Sequence, residues 1–517
     1  MERGGFPLKR YQREGVEWMV SREHCVENRG GILADDPGLG KTIQTVALLL
    51  ENKVDHTLII VPTAVLHQWY DILIKFFGKD TVLMIHGSKF KSTDQWLRES
   101  FTICLTTHGT VSTSVRTILH FPYFWDRVVV DEAHVIRNHR TKIHKSICAL
   151  RYNNTRTWAL TGTPIQNSPK DIVSLLKFIG VPAAQTKKQR DLGSLISQFV
   201  LRRTKEITMD DVFVPHTTET ISVPFDTQLE QGIYDALLKN ALWQMRNPLL
   251  FGRARYLLGL EEIIRLRQCA FHPQAALHAM SKKYNTSHLP NFPYTTISSK
   301  MSRIIADINR TKGYCLVFCH FIKEMELIQM YLQRHHQIKS TLYHGGHTIR
   351  ERQSILNKFG PGKYETKGEL ILDIISKPPK TPISSISTRD YWSTISPYME
   401  NPNRVLIVQI KSGGVGLNLQ QFSNVFISSP DWNPTNEIQA ISRAHRLGQC
   451  KKVIVRKYVL SYNPAFGKSL CCTTLDERIL MKQYDKRALM STLLEDKTLV
   501  FSEDVSSLSL EFEQLEI

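Results

Sequence analysis

Residues 30–45 read GGILADDPGLGKTIQT. Ile32, Leu33 and Ala34 end a short apolar run that suits a buried strand. Residues 35–40 form a turn-rich loop carrying Pro37, Gly38 and Gly40. Lys41 and Thr42 then open IQTVALLL, which continues as a helix. A strand, a glycine-containing loop and a helix N-terminus make a phosphate cradle, because backbone N–H groups point inward and the helix end carries partial positive charge. In such a cradle Lys41 reaches the β- and γ-phosphates and Thr42 offers a hydroxyl to Mg²⁺. The usual pattern begins with glycine where this chain has Asp35. A glycine turn that only caps a helix is the plain alternative, but it does not call for the Lys-Thr pair.

With 517 residues the chain is long enough for two or more domains, each with its own core. It is 42% hydrophobic and 22% charged, as globular proteins are. Lys and Arg number 66 against 48 Asp and Glu, a formal charge of +18. That balance favours a polyanionic partner, nucleic acid first. The nine cysteines include no C-x-x-C pair, and their odd number argues against a disulfide framework. Reduced thiols inside a cell fit better. The first residues, MERGGFPLKRYQ, contain no apolar signal core, and no apolar run has membrane-spanning length, so no membrane partner is expected.

Over residues 1–215, strand-like runs at 57–61, 101–105, 127–130 and 157–160 alternate with helical patterns such as residues 171–178, which implies a parallel α/β sheet. Residues 216–297 read as helical protrusions and a linker, with Leu229, Ile233 and Leu237 on one helical face and Asp226 as N-cap. A second α/β region spans 298–497, with strands at 314–318, 404–408 and 424–427 and an insertion over 360–403. An acidic, serine-rich tail follows over 498–517.

Three further motifs carry chemistry. Residues 127–138 read RVVVDEAHVIRN, a β-branched strand that delivers Asp131 and Glu132 at its C-terminal end, where open α/β sheets bind ligands. Asp131 suits Mg²⁺, and Glu132 suits orientation and deprotonation of an attacking water. His134 is close enough in sequence to link this site to a neighbouring element. In LTGTPIQN, Thr161, Thr163 and Gln166 offer polar groups beside the phosphates. In QAISRAHRLGQ, the spacing of Gln439, Arg443 and Arg446 places all three on one helical face. A second sheet presenting these arginines to the γ-phosphate would supply arginine fingers. Just before them, Gly413, Gly414 and Gly416 make a loop whose backbone can approach a phosphate.

In this order the motifs resemble those of the Swi/Snf-type DNA-dependent ATPases of helicase superfamily 2, from Leu8 to about Leu489. LKRYQREGVEWM, VPTAVLHQW, LTTHG, DEAH, LTGTPIQN and LRRTK run through one lobe, and SSKM, LVFCHF, YHGG, GGVGLNL, DWNP and QAISRAHRLGQ through the other. The resemblance implies two RecA-like lobes with ATP in the cleft between them and DNA across both. It assigns Gln12 to the adenine and Asp36, Gly38, Leu39, Gly40, Lys41, Thr42, Gly416 and Gln439 to the nucleotide. Catalysis falls to Lys41, Asp131, Glu132, Arg443 and Arg446, and Mg²⁺ to Thr42 and Asp131. His134 and Gln166 couple the site to motion, and Thr63, Thr107, His344 and Lys411 lie on the DNA track.

WDR before the DEAH strand, IRN after it and RLRQCAFHP resemble the branch of postreplication-repair translocases and Lodestar-type transcription terminators. The RING ligase of many of those relatives has no counterpart, since only a short cysteine-free linker follows Pro273. No accessory reader module is expected, as the motifs begin at residue 8. Such a bare motor fits a truncated cellular enzyme acting in the nucleus, or a compact viral one acting in a replication compartment or virion. Two positions depart from the family near the DNA track: Gln409 replaces a serine, and Cys319-His320 replaces Ser-Gln. The expectation is a monomeric translocase on double-stranded DNA, independent of sequence, that remodels DNA-bound proteins. The rivals are a strand-separating helicase and a catalytically idle DNA-binding scaffold.

Overall fold

The protein is described from a computed structural model, which covers residues 8–26, 28–86, 101–119, 125–152, 154–166, 168–182, 185, 192–205, 216–246, 252–281, 291–359, 403–413, 417, 419–446, 449, 451–467 and 472–495. These residues form two compact units, which divide at residue 214, the second running through residue 487.

The first unit is built on seven strands: β1 (Gly30–Leu33), β2 (Thr57–Val61), β3 (Val82–Ile85), β4 (Ile103–Thr107), β5 (Arg127–Asp131), β6 (Arg156–Leu160) and β7 (Val200–Leu201). They lie in the order β3-β4-β2-β5-β6-β1-β7, every pair parallel. Helices α1 (Arg10–Glu23), α2 (Lys41–Glu51), α3 (Leu66–Phe77), α4 (His108–Leu119), α5 (Lys142–Cys148), α6 (Lys170–Phe178) and α7 (Leu192–Phe199) alternate with them. Alternate residues of each strand point to opposite faces, and both faces are covered. Ile32, Leu58, Ile60, Val128, Val130 and Ala159 enter one apolar cluster. Leu33, Ile59, Val61, Val129, Trp158 and Leu160 enter another. At the N-terminal end of the sheet Glu23 takes Arg127 Nε at 2.6 Å, Trp158 Nε1 at 2.8 Å and Asn52 Nδ2 at 2.6 Å.

The second unit repeats the plan with β8 (His216–Pro224), β9 (Cys315–Cys319), β10 (Lys339–Tyr343), β11 (Asn403–Gln409), β12 (Asn424–Ile427) and β13 (Val453–Ser461). Their order is β10-β11-β9-β12-β13-β8, again all parallel. Its helices are α8 (Gln228–Arg246), α9 (Gly252–Phe271), α10 (Pro273–Ser281), α11 (Ser299–Arg310), α12 (Ile322–His336), α13 (Ile349–Asn357), α14 (Ile410–Gly413), α15 (Pro434–Ala444) and α16 (Leu475–Glu495). Helices α8, α9 and α10 close a core of their own, in which Ile233, Leu237, Leu266 and Leu277 meet Leu475 and Ile479 of α16.

Three local expectations are corrected. Residues 216–224 are not helical but a nine-residue strand, as the β-branched run TTETISV permits. Helix α8 starts two residues after Asp226, so its first-turn cap is the Thr227 hydroxyl, which accepts from the Glu230 N–H at 3.2 Å. Leu229, one residue into that turn, is 47% exposed, while Ile233 and Leu237 are buried. The insertion, apart from residue 403, and the acidic tail lie outside the described residues. Among the described residues no helix is long and apolar enough to cross a membrane.

Candidate active site

In the first unit, parallel strands bring the loops after β1, β5 and β6 to one edge of the sheet, because Leu33 and Asp131 both pair in register with Leu160. Gly38 and Gly40 turn the loop after β1 with φ of 97° and 81°. Gly40 is required twice: it caps α2 in the left-handed region, and a Cβ there would meet Gln12 Nε2 at 2.6 Å. Gly162, in the loop after β6, packs so closely that a Cβ would lie 2.7 Å from Pro37. The LTGTP turn therefore buttresses the phosphate loop directly.

Lys41 and Thr42 stand in the first turn of α2, both partly exposed. The Lys41 ammonium donates to the carbonyls of Asp35 at 2.6 Å and Asp36 at 3.3 Å. Gln12 is buried, donating to Leu39 O at 3.2 Å and accepting from Lys9 N at 3.1 Å. Asp36 binds the chain after β7, its N–H on Arg203 O at 3.0 Å and its carboxylate on the Lys205 N–H at 3.2 Å.

Asp131 ends β5. Its Oδ2 accepts from the buried Trp69 indole at 2.9 Å and its Oδ1 from the Glu132 N–H at 2.9 Å. Burial, and then the charge of Glu132, push its carboxyl up to about 6, against the pull of Trp69 and Lys41. Lys41 and Asp131 thus feel one another's charge. Glu132 adopts φ of 49°, and its Oε2 lies 3.2 Å from His134 Nδ1. His108 of LTTHG sits 2.8 Å from Asp131 O, and burial holds its pKa down to about 4. Gln166 is buried between Arg137, donating at 2.6 Å, and the Thr163 hydroxyl at 3.2 Å.

Asp35, at the position where glycine is usual, is fully buried. Arg203 of LRRTK meets both its oxygens, at 2.9 and 2.5 Å, and Gln44 donates to it at 3.0 Å. Arg203, Trp69 and His108 shape the site without being evident from the sequence, and Asp35, notable there only for standing in place of glycine, anchors Arg203. The quoted motifs LRRTK, VPTAVLHQW and LTTHG contained three of them without revealing their partners.

The oxygen donors fit a hard divalent cation. A desolvated carboxylate strained by a second one gains from a cation, and a Thr hydroxyl stands at the start of α2. Among the described residues no three His, Cys, Asp or Glu side chains cluster around a metal position. A Mg²⁺ here would therefore be held by Thr42, Asp131 and phosphate oxygens, the arrangement that ion favours.

In the second unit, Gln439 and Arg443 lie on α15, Gln439 buried and Arg443 partly so. Arg446 is not on their helical face. The helix ends at Ala444, where buried His445 leaves the helical region and packs its ring, tilted by 44°, 4.6 Å from that of His216, and Gln449 takes the Ala444 carbonyl at 3.0 Å. Burial, and then the charge of Arg443, bring the Arg446 pKa down to about 10. Thr63 and Lys411 are exposed, His344 is partly buried against His347, and Thr107 is buried with its hydroxyl 2.9 Å from Thr110 Oγ1. Gln409 accepts the Gly345 N–H at 3.4 Å, and partly buried His320 lies 2.9 Å from Ser429 O. Gly414 and Gly416 lie outside the described residues.

Comparison with known proteins gives two family matches: an SNF2-related domain over residues 11–189, and a helicase conserved C-terminal domain over residues 298–367 and 384–448. A probable global transactivator of Orgyia pseudotsugata multicapsid polyhedrosis virus is 28% identical, over 96% of this chain and 93% of the relative. An uncharacterized ATP-dependent helicase of Schizosaccharomyces pombe is 27% identical over 95% of the chain, and the Arabidopsis thaliana DNA repair protein RAD5B 26% over 91%. The chain spans 61% and 46% of those two cellular relatives. The solved Sulfolobus solfataricus SWI2/SNF2 ATPase core in complex with dsDNA is 23% identical, over 97% of this chain and 99% of that one, with a TM-score of 0.37.

Proposed function

The chain belongs to the Swi/Snf-type DNA-dependent ATPases of helicase superfamily 2, and on that premise we propose that it is a translocase on double-stranded DNA that remodels protein–DNA complexes. The observation that carries the ATP chemistry is the single sheet edge on which the Lys41 loop, the Asp131–Glu132 pair and the LTGTP turn converge.

In this reading Gly38, Leu39, Gly40, Lys41 and Thr42 cradle the phosphates, Asp36 holds the cradle, and Gln12 reads the base. On nucleotide entry the Lys41 ammonium exchanges its loop carbonyls for the β- and γ-phosphates, a stronger charge-assisted contact. Mg²⁺ when bound, held by Thr42 and Asp131, would neutralise charge on the phosphate oxygens. Glu132 orients water and takes its proton, with His134 beside its carboxylate. Gln166 relays the state of the phosphates to Arg137. Arg443 and Arg446 supply positive charge to the γ-phosphate from the second unit, with Gln439 and Gly416 beside the nucleotide, and this completes the transition-state site.

Duplex DNA is bound through its backbone, by Thr63, Thr107, His344 and Lys411 among others. The charge of +18 supports a polyanionic partner without sequence preference. The chain works as a monomer wherever its DNA lies, in a nucleus or in a viral compartment or virion. The test is ATPase stimulation by duplex DNA, single strands and RNA, alongside Arg443→Ala and Arg446→Ala. Duplex should stimulate most, and either substitution should cut stimulated turnover by about 10³-fold or more while ATP binding weakens far less. Normal stimulated turnover in both variants would exclude the arginine role, and RNA as the best stimulant would exclude a duplex track.

A further inference from the structure

Four consecutive carbonyls, residues 429–432, in the SPDWNP loop that leads into α15 are each taken by a side chain from elsewhere in the second unit. His320 Nε2 lies 2.9 Å from the Ser429 oxygen. Arg267 of α9 donates to the Pro430 oxygen at 2.7 Å. Gln483 and Lys486 of α16 donate to the Asp431 oxygen at 2.5 Å and the Trp432 oxygen at 3.1 Å. Loop carbonyls commonly meet water or their own turn. Four in succession held by side chains fix the path of the loop from outside.

Gln483 does more than hold one carbonyl. It is 1% exposed. Its amide nitrogen also donates to Glu437 Oε1 at 2.5 Å, and its oxygen accepts from Lys457 of β13 at 3.1 Å. Glu437 Oε1 in turn accepts the Asp431 N–H at 2.7 Å. Asp431 Oδ1 accepts from Asn433 N at 2.8 Å and from Asn436 at 3.0 Å, and Asn433 caps α15 by accepting from Thr435 N at 3.1 Å. Together with the ion pair of Lys457 and Glu437, this buried amide therefore joins α16, β13, the loop and the first turn of α15. A leucine would fill the same space without the cost of burying an amide, but only a two-sided hydrogen-bonding group holds a carbonyl and a carboxylate in one register. Arg443 lies six residues beyond Glu437 on the same helix, about 9 Å along its axis.

We propose that Gln483 and Lys486 are positioning residues that aim α15, and with it Arg443, at the nucleotide. The inference rests on the arginine role proposed above. A helix tip displaced by about 1 Å at a catalytic group costs on the order of 10²-fold in rate, so a loosened N-terminal end of α15 is read in turnover more than in binding.

The experiment measures DNA-stimulated kcat and KM for ATP, with thermal unfolding, in Gln483→Ala, Lys486→Ala, Lys486→Arg, Arg443→Ala and the double variant Gln483→Ala/Arg443→Ala. Expected is a kcat about tenfold or more below wild type in Gln483→Ala, with KM within about twofold. The double variant should be no slower than Arg443→Ala alone, because an unaimed side chain that is absent has nothing further to lose. Lys486→Arg, which keeps a donor for the Trp432 oxygen, should recover most of what Lys486→Ala loses. If Gln483→Ala unfolds below the assay temperature, the Lys486 pair decides alone. Losses that multiply in the double variant, or normal turnover in Gln483→Ala and Lys486→Ala beside a slow Arg443→Ala, overturn the positioning role. Normal turnover in Arg443→Ala would instead remove the arginine reading on which it rests.

Discussion

Arg203→Met tests how the phosphate loop is held. The side chains of Arg203 and Asp35 are 11% and 0% exposed, and their contact is bidentate at 2.9 and 2.5 Å. Removing the guanidinium leaves a buried carboxylate with, among the described residues, the Gln44 amide as its remaining side-chain donor. Loss of one partner of such a pair costs about 3–5 kcal/mol, because the remaining charge is stranded. In a unit of this size that corresponds to roughly 6–20 °C in Tm. The local signature is sharper. The amides of Ala34 and Asp36 bond to Leu201 and Arg203 at 2.7 and 3.0 Å, so β7 should open from the loop with them. Their hydrogen exchange should accelerate about 10²-fold or more, at roughly tenfold per 1.4 kcal/mol. Asp35→Asn in the same chain removes the stranded charge and should recover at least about half of the loss. A penalty under about 1 kcal/mol for Arg203→Met, or a double variant whose costs simply add, would refute the reasoning.

Lys41→Ala should abolish turnover by weakening nucleotide binding, whereas Glu132→Gln should bind ATP and hydrolyse it slowly; equilibrium binding and single-turnover rates separate the two, and near-normal turnover in Glu132→Gln removes it as the base. Gly162→Val should strain the turn against Pro37 and cost about 1–3 kcal/mol, seen as a lowered Tm and weaker ATP binding. The pH profile of kcat/KM should fall on the acid side near 6. Asp131 is raised above the ordinary carboxylate value, so it is charged above that pH and protonated, without its charge for the cation, below it. In Glu132→Gln the neighbouring charge is gone, so the pH dependence of Mg²⁺–nucleotide binding should shift to more acid pH; an unmoved limb places the titration elsewhere.

The central strands were legible because a parallel strand buried on both faces must be a near-continuous apolar run, as TLIIV and NVFI are. The edge strand β10, KSTLY, is only partly buried and mixes polar with apolar residues, while β3, VLMI, is a short continuous apolar run that periodicity alone does not tell from a helical segment. Asp131 and Glu132 were legible because strand and ligand edge are contiguous in sequence. Their supports were not: Trp69 is 62 residues from Asp131, Arg203 is 168 from Asp35, and Arg127 is 104 from Glu23. No local period links partners so far apart. Arg446 was misread for a different reason. Spacing by four and three describes a helix only while the helix lasts, and His445 ends it by burying its ring against β8. Thr227 was passed over as a cap because Asp226, next to it, is as good a capping residue, and only the observed helix start chooses between them.

Displacement of a third strand tests movement along the duplex most directly. A fluorescent triplex-forming strand annealed to a long duplex is incubated with the protein and ATP, beside a forked duplex of the same length. The account predicts that the third strand is released only with hydrolysable ATP, that release slows in Glu132→Gln, and that the fork stays paired. Efficient ATP-dependent opening of the fork, or a triplex left intact while duplex-stimulated hydrolysis proceeds, would contradict it.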